Sequence, residues 1–212
     1  MQTRPRDDPL VGVDVLACAD EVAAMLRPAL GRDWSVAVPD LDFTVASVVA
    51  HAATAPLWYS LDLWGGPGDY AAFEVGVRPD AEPQRLLNSL LATARACAAG
   101  VDAASSDTRG FHPAGSPDPE GFAAMACDEL MVHGHDAARG LGLTFVPDSR
   151  LAARTIRRLF PWHSPGSDPW ETLLWANGRV FLDGRTSQDG WVWHCAPLAE
   201  WDGAPRPLRP KN

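Results

Sequence analysis

The feature that most constrains the fold is a long amphipathic segment, residues 118–141, with helix signals at both of its ends. Asp118 is a suitable N-cap, Pro119 follows it in the first turn, and Gly140 marks the end directly after Arg139. A helix of this length must bury its apolar face against other elements, because helix propensity alone stabilises it only weakly. The rest of the chain therefore has to supply a surface on which this helix packs.

Three other segments show the same helical periodicity. Apolar residues at helical spacing predict helices over 13–30, 45–63 and 82–99. Thr44 is the predicted N-cap of the second of these helices, and Pro56 inside it predicts a bend or an end near Ala55. Four amphipathic helices joined by connections of different lengths predict a helical bundle, which we place at residues 1–147.

The chain changes character after Pro147. Asp148 is the predicted cap of a fifth helix, and residues 168–177 carry the start and end signals of a short sixth helix. Tryptophan is concentrated in this part, and residues 191–193 (Trp-Val-Trp) alternate as a short strand does. The predicted fold is therefore mainly α: a four-helix bundle with a small C-terminal α/β or irregular Trp-rich extension, residues 148–212, packed on the bundle.

Composition and charge argue against several classes of function. A formal net charge of -9 and a pI near 5.0 argue against nucleic-acid binding, which normally selects a basic face. The most apolar stretch, residues 45–63, is interrupted by His51 and Pro56 and predicts no membrane span, and the N-terminus predicts no secretory signal. Lys211 is the only lysine, and a chain rich in Arg, Ala, Gly and Pro suits a GC-rich genome such as an actinobacterial one. The cysteines form no metal or redox spacing motif, which favours buried reduced thiols in a cytoplasmic protein: Cys18, Cys97, Cys127 and Cys195.

Three polar residues in these helices predict a metal site. Glu129 and His133 lie four residues apart on the fourth predicted helix, so both side chains point to the same face about one turn apart. His51 lies in an otherwise apolar run of the second helix, where an unpartnered polar group would be costly. A solvated Glu–His pair and a hydrogen-bonded lone His are the simpler interpretations of each feature taken alone. Together, on facing helices of a bundle, the three residues predict a site for one divalent metal ion.

Helical phase decides which neighbours of His133 join this site. His135 is rotated by about 200° from His133, to the opposite face of the helix, and is therefore excluded. Asp136, three residues beyond His133, returns to the metal side, where it is a candidate catalytic group that orients a ligating imidazole. A salt bridge to Arg139 is the alternative interpretation of Asp136. Cys127 points away from the predicted site, and we interpret it as a packing residue.

Four segments of the chain together resemble the mycothiol-dependent maleylpyruvate isomerase family, which belongs to the DinB-like metal-binding helical bundles. The most specific of them are Thr44–His51 (TVASVVAH) and Asp128–Arg139 (DELMVHGHDAAR). Two further segments, Leu173–Arg179 and Gly190–Trp193, are similar to C-terminal elements of the family's members. The resemblance therefore covers most of the chain.

This resemblance implies a DinB-like four-helix bundle that holds a divalent ion, usually zinc, through a His, a Glu and a His at the positions of His51, Glu129 and His133. It also implies mycothiol as the thiol cofactor and a homodimer as the assembly. Family members commonly carry Trp at the position of His135 and a Gly-Trp-Thr turn where this chain has Asp-Phe-Thr at 42–44. Neither departure removes a ligand, but both leave the substrate open.

Three protein ligands leave one coordination position open, as catalytic zinc sites do. A thiol that enters this position loses its proton and becomes a thiolate nucleophile. The predicted function is therefore a metal- and mycothiol-dependent S-transferase or isomerase that acts on a small electrophile. A non-catalytic metal-binding or sensing protein and a metal-dependent hydrolase are the alternatives, and nickel or iron could replace zinc. Arg179 and Arg185 are candidates for a bidentate contact with a carboxylate substrate, with surface Arg as the alternative.

Overall fold

The computed structural model describes residues 8–188 and 190–206. Within these ranges the chain forms six α-helices: α1 (Gly12–Leu26), α2 (Val45–Gly65), α3 (Pro83–Ala103), α4 (Pro119–Gly140), α5 (Ser149–Leu159) and α6 (Pro169–Ala176). Short 3-10 turns lie at Arg27–Ala29 and Leu198–Glu200. Two isolated antiparallel bridges, between residues 37 and 44 and between residues 112 and 115, are the β-type pairings found within the described ranges.

The first four helices form the bundle, with α1 and α2 each packing against both α3 and α4. Helix α5 packs on α4, and α6 packs on α5, so the C-terminal part covers the outer side of α4. This arrangement confirms the predicted mainly α bundle with an irregular C-terminal extension. The predicted strand at residues 191–193 is wrong, because these residues form no ladder and Trp193 instead directs its indole N–H into the bundle. The boundary at residue 147 stays a prediction.

The predicted N-caps of four helices are confirmed, and each side-chain oxygen accepts a backbone N–H of the first turn. The acceptors are Thr44, Asp118, Asp148 and Asp168, with donor–acceptor distances of 2.8–3.1 Å. Residues with local capping chemistry therefore set where these helices begin.

The C-terminal ends of the helices were predicted less accurately than their beginnings. Helix α1 ends at Leu26 and not at residue 30, because Pro28 lacks a backbone N–H and the chain tightens into a 3-10 turn. Helix α3 continues through Gly100 to Ala103, since the buried Val101 extends its packed face. Helix α2 runs past Pro56 as one helix to Gly65, so the proline does not end it.

Helix α4 is the centre of the molecule, buried along most of its length. A Cβ atom at Gly134 would lie 2.7 Å from Cγ2 of Val22, so the glycine permits the close approach of α1 and α4. All four cysteines are buried with free thiols, as predicted. In the described part of the chain, none of the helices combines the length and apolar character needed to span a bilayer.

Candidate metal site

The three predicted ligands lie together where α2 packs against α4. The Oε2 atom of Glu129 is 3.3 Å from Nε2 of His51 and 2.9 Å from Nε2 of His133. One ligand atom from each of the three residues lies within 4.8 Å of the other two. The imidazole rings meet edge to face, with centroids 4.8 Å apart. Helix α2 therefore supplies one nitrogen, and α4 supplies the carboxylate and the other nitrogen.

The contacts among these atoms suit a shared cation. Neither imidazole meets Oε2 of Glu129 in hydrogen-bond geometry, and this buried oxygen has no hydrogen-bond partner among the described residues. In a tetrahedral zinc site with ligand distances of about 2.0–2.1 Å, neighbouring ligand atoms lie about 3.3 Å apart. The contacts of Oε2 with the two nitrogens are close to that value. The residues therefore fit a divalent ion, while ligation by them stays a prediction.

Further hydrogen bonds fix the orientation of the ligands on α4. The hydroxyl of Tyr59 donates to Oε1 of Glu129 at 3.3 Å, and Oδ2 of Asp136 lies 3.1 Å from Nδ1 of His133. A proton on Nδ1 directs the lone pair of Nε2 into the site. Arg179 holds Asp136 in turn, donating from Nε to Oδ1 and from Nη2 to Oδ2 at 3.0 Å each. The fully buried Asp136 thus joins His133 to Arg179.

The charges of this cluster shift the pKa values of its members in opposite directions. Burial would raise the pKa of Glu129, but the imidazoles of His133 and His51 outweigh it and hold the pKa far below its usual range. Burial would likewise lower the pKa of His133, but Asp136 and Glu129 raise it to about 9. Without an ion the cluster is therefore a charged His–Glu pair. A cation would take the place of the proton on Nε2 of His133.

A second buried carboxylate, Asp128, lies beside Glu129 and was missed by the sequence analysis. Its Oδ1 accepts a hydrogen bond from Nδ2 of Asn177 at 2.9 Å, and its Oδ2 accepts one from Nε1 of Trp193 at 3.1 Å. Burial, together with the charge of Glu129, raises the pKa of Asp128 to about 7. Helical phase gave no signal, because adjacent residues point about 100° apart and the partners of Asp128 lie in the C-terminal extension.

The site opens into a cavity of about 900 Å³. Helix α2 lines it with side chains at helical spacing, from His51 through Trp58 and Tyr59 to Asp62. Tyr59 is buried and reaches Glu129, a role that the spacing of eight residues from His51 could have suggested. The candidate metal site is therefore reached through a cavity that is lined by one face of α2.

The connection after α2, residues 66–82, forms one wall of this cavity, and we call it the strap. Three side chains of α2 at intervals of four residues bind its backbone. Thr54 Oγ1 accepts from the N–H of Val77 at 2.9 Å, and Trp58 Nε1 donates to the carbonyl of Val75 at 2.7 Å. Asp62 Oδ1 accepts from the N–H of residue 71 at 2.9 Å. The strap therefore runs antiparallel to α2 and is held beside the site.

The other walls come from the connection before α4 and from the C-terminal extension. His112, Trp191 and Trp193 line the cavity, and the rings of His112 and Trp193 have centroids 5.5 Å apart. Nδ1 of His112 accepts the N–H of residue 114 at 3.1 Å, which places the ring proton of a neutral imidazole on Nε2. A Cβ at Gly110 would lie 2.4 Å from the carbonyl oxygen of Asp62, so glycine lets this connection press against α2.

The remaining sequence-based interpretations have mixed outcomes. His135 lies outside the ligand group and contacts Trp170, at a centroid distance of 5.8 Å, as its phase predicts. The alternative of a salt bridge between Asp136 and Arg139 is wrong, because Arg139 pairs with Asp40 at 2.6 Å.

Both interpretations of Arg179, as a carboxylate anchor or as surface Arg, are wrong, because this side chain is bound to Asp136 inside the protein. Its guanidinium is therefore occupied by a structural partner. Arg185 lies over the ring of Trp175, with its guanidinium carbon 4.7 Å from the ring centroid, and does not line the cavity.

Comparison with known protein families identifies the bundle. The family model of the mycothiol maleylpyruvate isomerase N-terminal domain matches residues 15–138, more than half of the chain. The matched range includes His51, Glu129, His133 and Asp136, and it ends before α5 and the C-terminal extension. No curated protein and no solved structure matches the chain significantly. The family match confirms the resemblance inferred from the motifs.

Proposed function

The chain belongs to the family of the mycothiol maleylpyruvate isomerase N-terminal domain, and on this premise we propose that it is a metal-dependent thiol S-transferase or isomerase. In this proposal His51, Glu129 and His133 hold one divalent ion, zinc in the first instance. A low-molecular-weight thiol, mycothiol by family membership, reacts there with a small electrophile from the cavity. The expected location is the cytoplasm, where such thiols are kept reduced.

One observation carries the proposal. Oε2 of Glu129 is buried without a hydrogen-bond partner among the described residues, although two imidazole nitrogens lie within 3.3 Å of it. Without an ion the imidazolium of His133 supplies the positive charge beside this oxygen, and a divalent ion held by all three residues would replace that charge by direct ligation. The site lies at the wall of a cavity large enough for a thiol and a second small molecule.

A bound divalent ion would supply Lewis acidity that stabilises the thiolate form of an incoming thiol. Asp136 accepts the Nδ1 proton of His133, which keeps Nε2 free for ligation, and Arg179 keeps Asp136 ionised and in place. Tyr59 fixes the rotation of the Glu129 carboxylate through Oε1. In this proposal Asp136 is a positioning residue, because its contacts are with His133 and Arg179 and it does not line the cavity.

The nucleophile in this proposal comes from outside the chain, since all four protein thiols are buried. Burial raises the pKa of Cys97 and of Cys195 to about 12, so these thiols do not ionise near neutral pH. With an external thiol, the sulfur bonds to the β-carbon of an activated double bond. Protonation of the resulting carbanion gives a thioether, whereas rotation about the carbon–carbon bond and loss of the thiolate give the isomer.

The proposal is tested with zinc-loaded protein and with protein stripped of metal by a chelator. Each is incubated with mycothiol and a panel of enones, maleimides and cis-enediones, and thioethers and isomers are measured by mass spectrometry and NMR. We expect product formation only with the loaded protein.

No metal-dependent product across the whole panel would contradict the proposal. Stoichiometric zinc binding combined with that result would instead support a metal-binding protein without turnover.

A further inference from the structure

The cavity beside the candidate metal site has aromatic walls. Trp58, Tyr70 and Phe73 line it on the side of α2 and the strap, and Trp191 and Trp193 line it on the side of the C-terminal extension. The rings of Trp191 and Trp193 lie with centroids 5.0 Å apart. Faces of this kind bind flat apolar groups by offset or edge-to-face stacking.

The side chains with a formal charge that line the cavity are carboxylates. Asp62 and Glu74 line it together with Glu129, while none of the described lining residues is Arg or Lys. Arg179, which follows α6, is bound through two nitrogens to Asp136 behind His133 and does not line the cavity. The two charges of a divalent ion at the ligands would be offset by Glu129 together with Asp62 and Glu74, so an anionic group that stacks away from the ion meets carboxylates without a guanidinium or ammonium partner, which selects against it.

We propose that this cavity selects an uncharged electrophile with a flat, aromatic-sized apolar group, and that it discriminates against dicarboxylates such as maleylpyruvate. The inference rests on the proposed function and names the substrate class of the same site. Its structural basis is the juxtaposition of aromatic walls, one-sided negative charge and the candidate ligands around about 900 Å³ of space. Such a ligand would stack between the strap and the C-terminal extension while its electrophilic carbon faces His51 and Glu129.

The test compares benzylideneacetone, an uncharged aryl enone, with its 4-carboxy derivative, which differs by one anionic group. Binding to the zinc-loaded protein without thiol is followed by ligand-detected NMR, so this readout does not require turnover. We expect at least tenfold tighter binding of the uncharged enone. Equal or tighter binding of the carboxylate, or binding of neither compound, would overturn the inference.

Two variants locate the selectivity in the cavity. Phe73→Ala removes an aromatic wall residue, and we expect severalfold weaker binding of the uncharged enone. Phe181→Ala is the control, since Phe181 is also an exposed phenylalanine but does not line the cavity. Equal effects of the two variants would contradict a role of the aromatic wall.

A second pair of variants reverses the charge of one acidic side chain. Glu74→Lys should lower the ratio of the two dissociation constants, carboxylated over uncharged enone, at least threefold. Asp20→Lys, on the exposed surface of α1 outside the cavity, should leave this ratio unchanged. An unchanged preference in Glu74→Lys would count against electrostatic selection.

Addition of mycothiol to the same samples then tests the proposed function separately. A binding preference without product would contradict only the reaction. Product formation with the carboxylated enone preferred would contradict only the substrate class.

Discussion

The two sides of the cavity are built in different ways. On the side of α4, the ligands Glu129 and His133 are supported by buried groups that each have a partner of their own, as Asp136 has in Arg179. On the opposite side, the strap carries exposed aromatic side chains and is held through three contacts to α2. A buried wall held by the Asp136–Arg179 ion pair fixes the geometry that the proposed chemistry needs, whereas substitutions in an exposed wall cost little stability. Under the proposed function, the reaction and the substrate selectivity would therefore be carried by separate parts of this chain.

The largest effect is expected from the ligand wall. Glu129→Gln keeps the shape of the side chain but removes its charge, and zinc affinity should fall by more than about 100-fold, since even groups that only support ligands contribute about 10–100-fold. Metal content measured by mass spectrometry should fall from one zinc per chain to nearly none. Glu171→Gln, on the exposed start of α6, is the control. Full retention of zinc by Glu129→Gln would contradict the assignment of Glu129 as a metal ligand.

The second-largest effect is expected from the ion pair of Asp136 and Arg179, which lies behind His133. Arg179→Met leaves the fully buried Asp136 without its cation, which we expect to lower the free energy of unfolding by about 3–5 kcal/mol in urea denaturation. Arg150→Met removes a guanidinium from the exposed Asp148 pair and should change stability little. If both variants had equally small effects, the α4 wall would not be stabilised by its buried charges.

Trp193 joins the C-terminal extension to α4, because its ring lines the cavity while its N–H bonds to Asp128. Trp193→Phe keeps an aromatic ring but leaves a buried carboxylate oxygen without its donor, and should cost about 1–3 kcal/mol in unfolding free energy. Trp201→Phe loses a hydrogen bond to the carbonyl of Ala204 at an exposed position and is the matched control. A smaller loss in Trp193→Phe than in Trp201→Phe would argue against the Asp128 link.

The smallest effect on stability is expected from the strap. Trp58→Phe removes the hydrogen bond to Val75 at a side chain that is 42% exposed, so unfolding free energy should change by about 0.5 kcal/mol or less. Hydrogen exchange of strap amides should nevertheless become faster, while zinc content stays unchanged. Trp64→Phe, exposed on the same helix, should alter neither quantity. Loss of zinc in Trp58→Phe would show that the two walls are not independent.

The parts predicted correctly from the sequence share one property: they follow from residues close together in the chain. Thr44 and Asp118 cap their helices through N–H groups three residues away. Glu129 and His133 share a face because they are four residues apart, and the same rule excluded His135. For His51 the premise was wrong, because its side chain is 47% exposed and bears no cost of burying a lone polar group, although α2 does bring it to Glu129.

Interactions between distant parts of the chain were not predictable in this way. Arg179 lies 43 residues from Asp136, and Trp193 lies 65 residues from Asp128, so no local spacing relates them. The path of the strap was not predicted either, although Thr54, Trp58 and Asp62 bind its backbone at helical intervals. Many chain paths satisfy a loop's sequence, and packing selects among them.

The sequence by itself determined the helices, the beginnings of those with a capping side chain, and the face of α4 that Glu129 and His133 share. Helical periodicity and capping decide these properties within one or two turns, before any tertiary contact forms. Only the tertiary structure decided what supports the candidate ligands and what lines the cavity. Those features depend on bringing the strap and the C-terminal extension against the bundle, where buried polar groups must find partners wherever packing provides them.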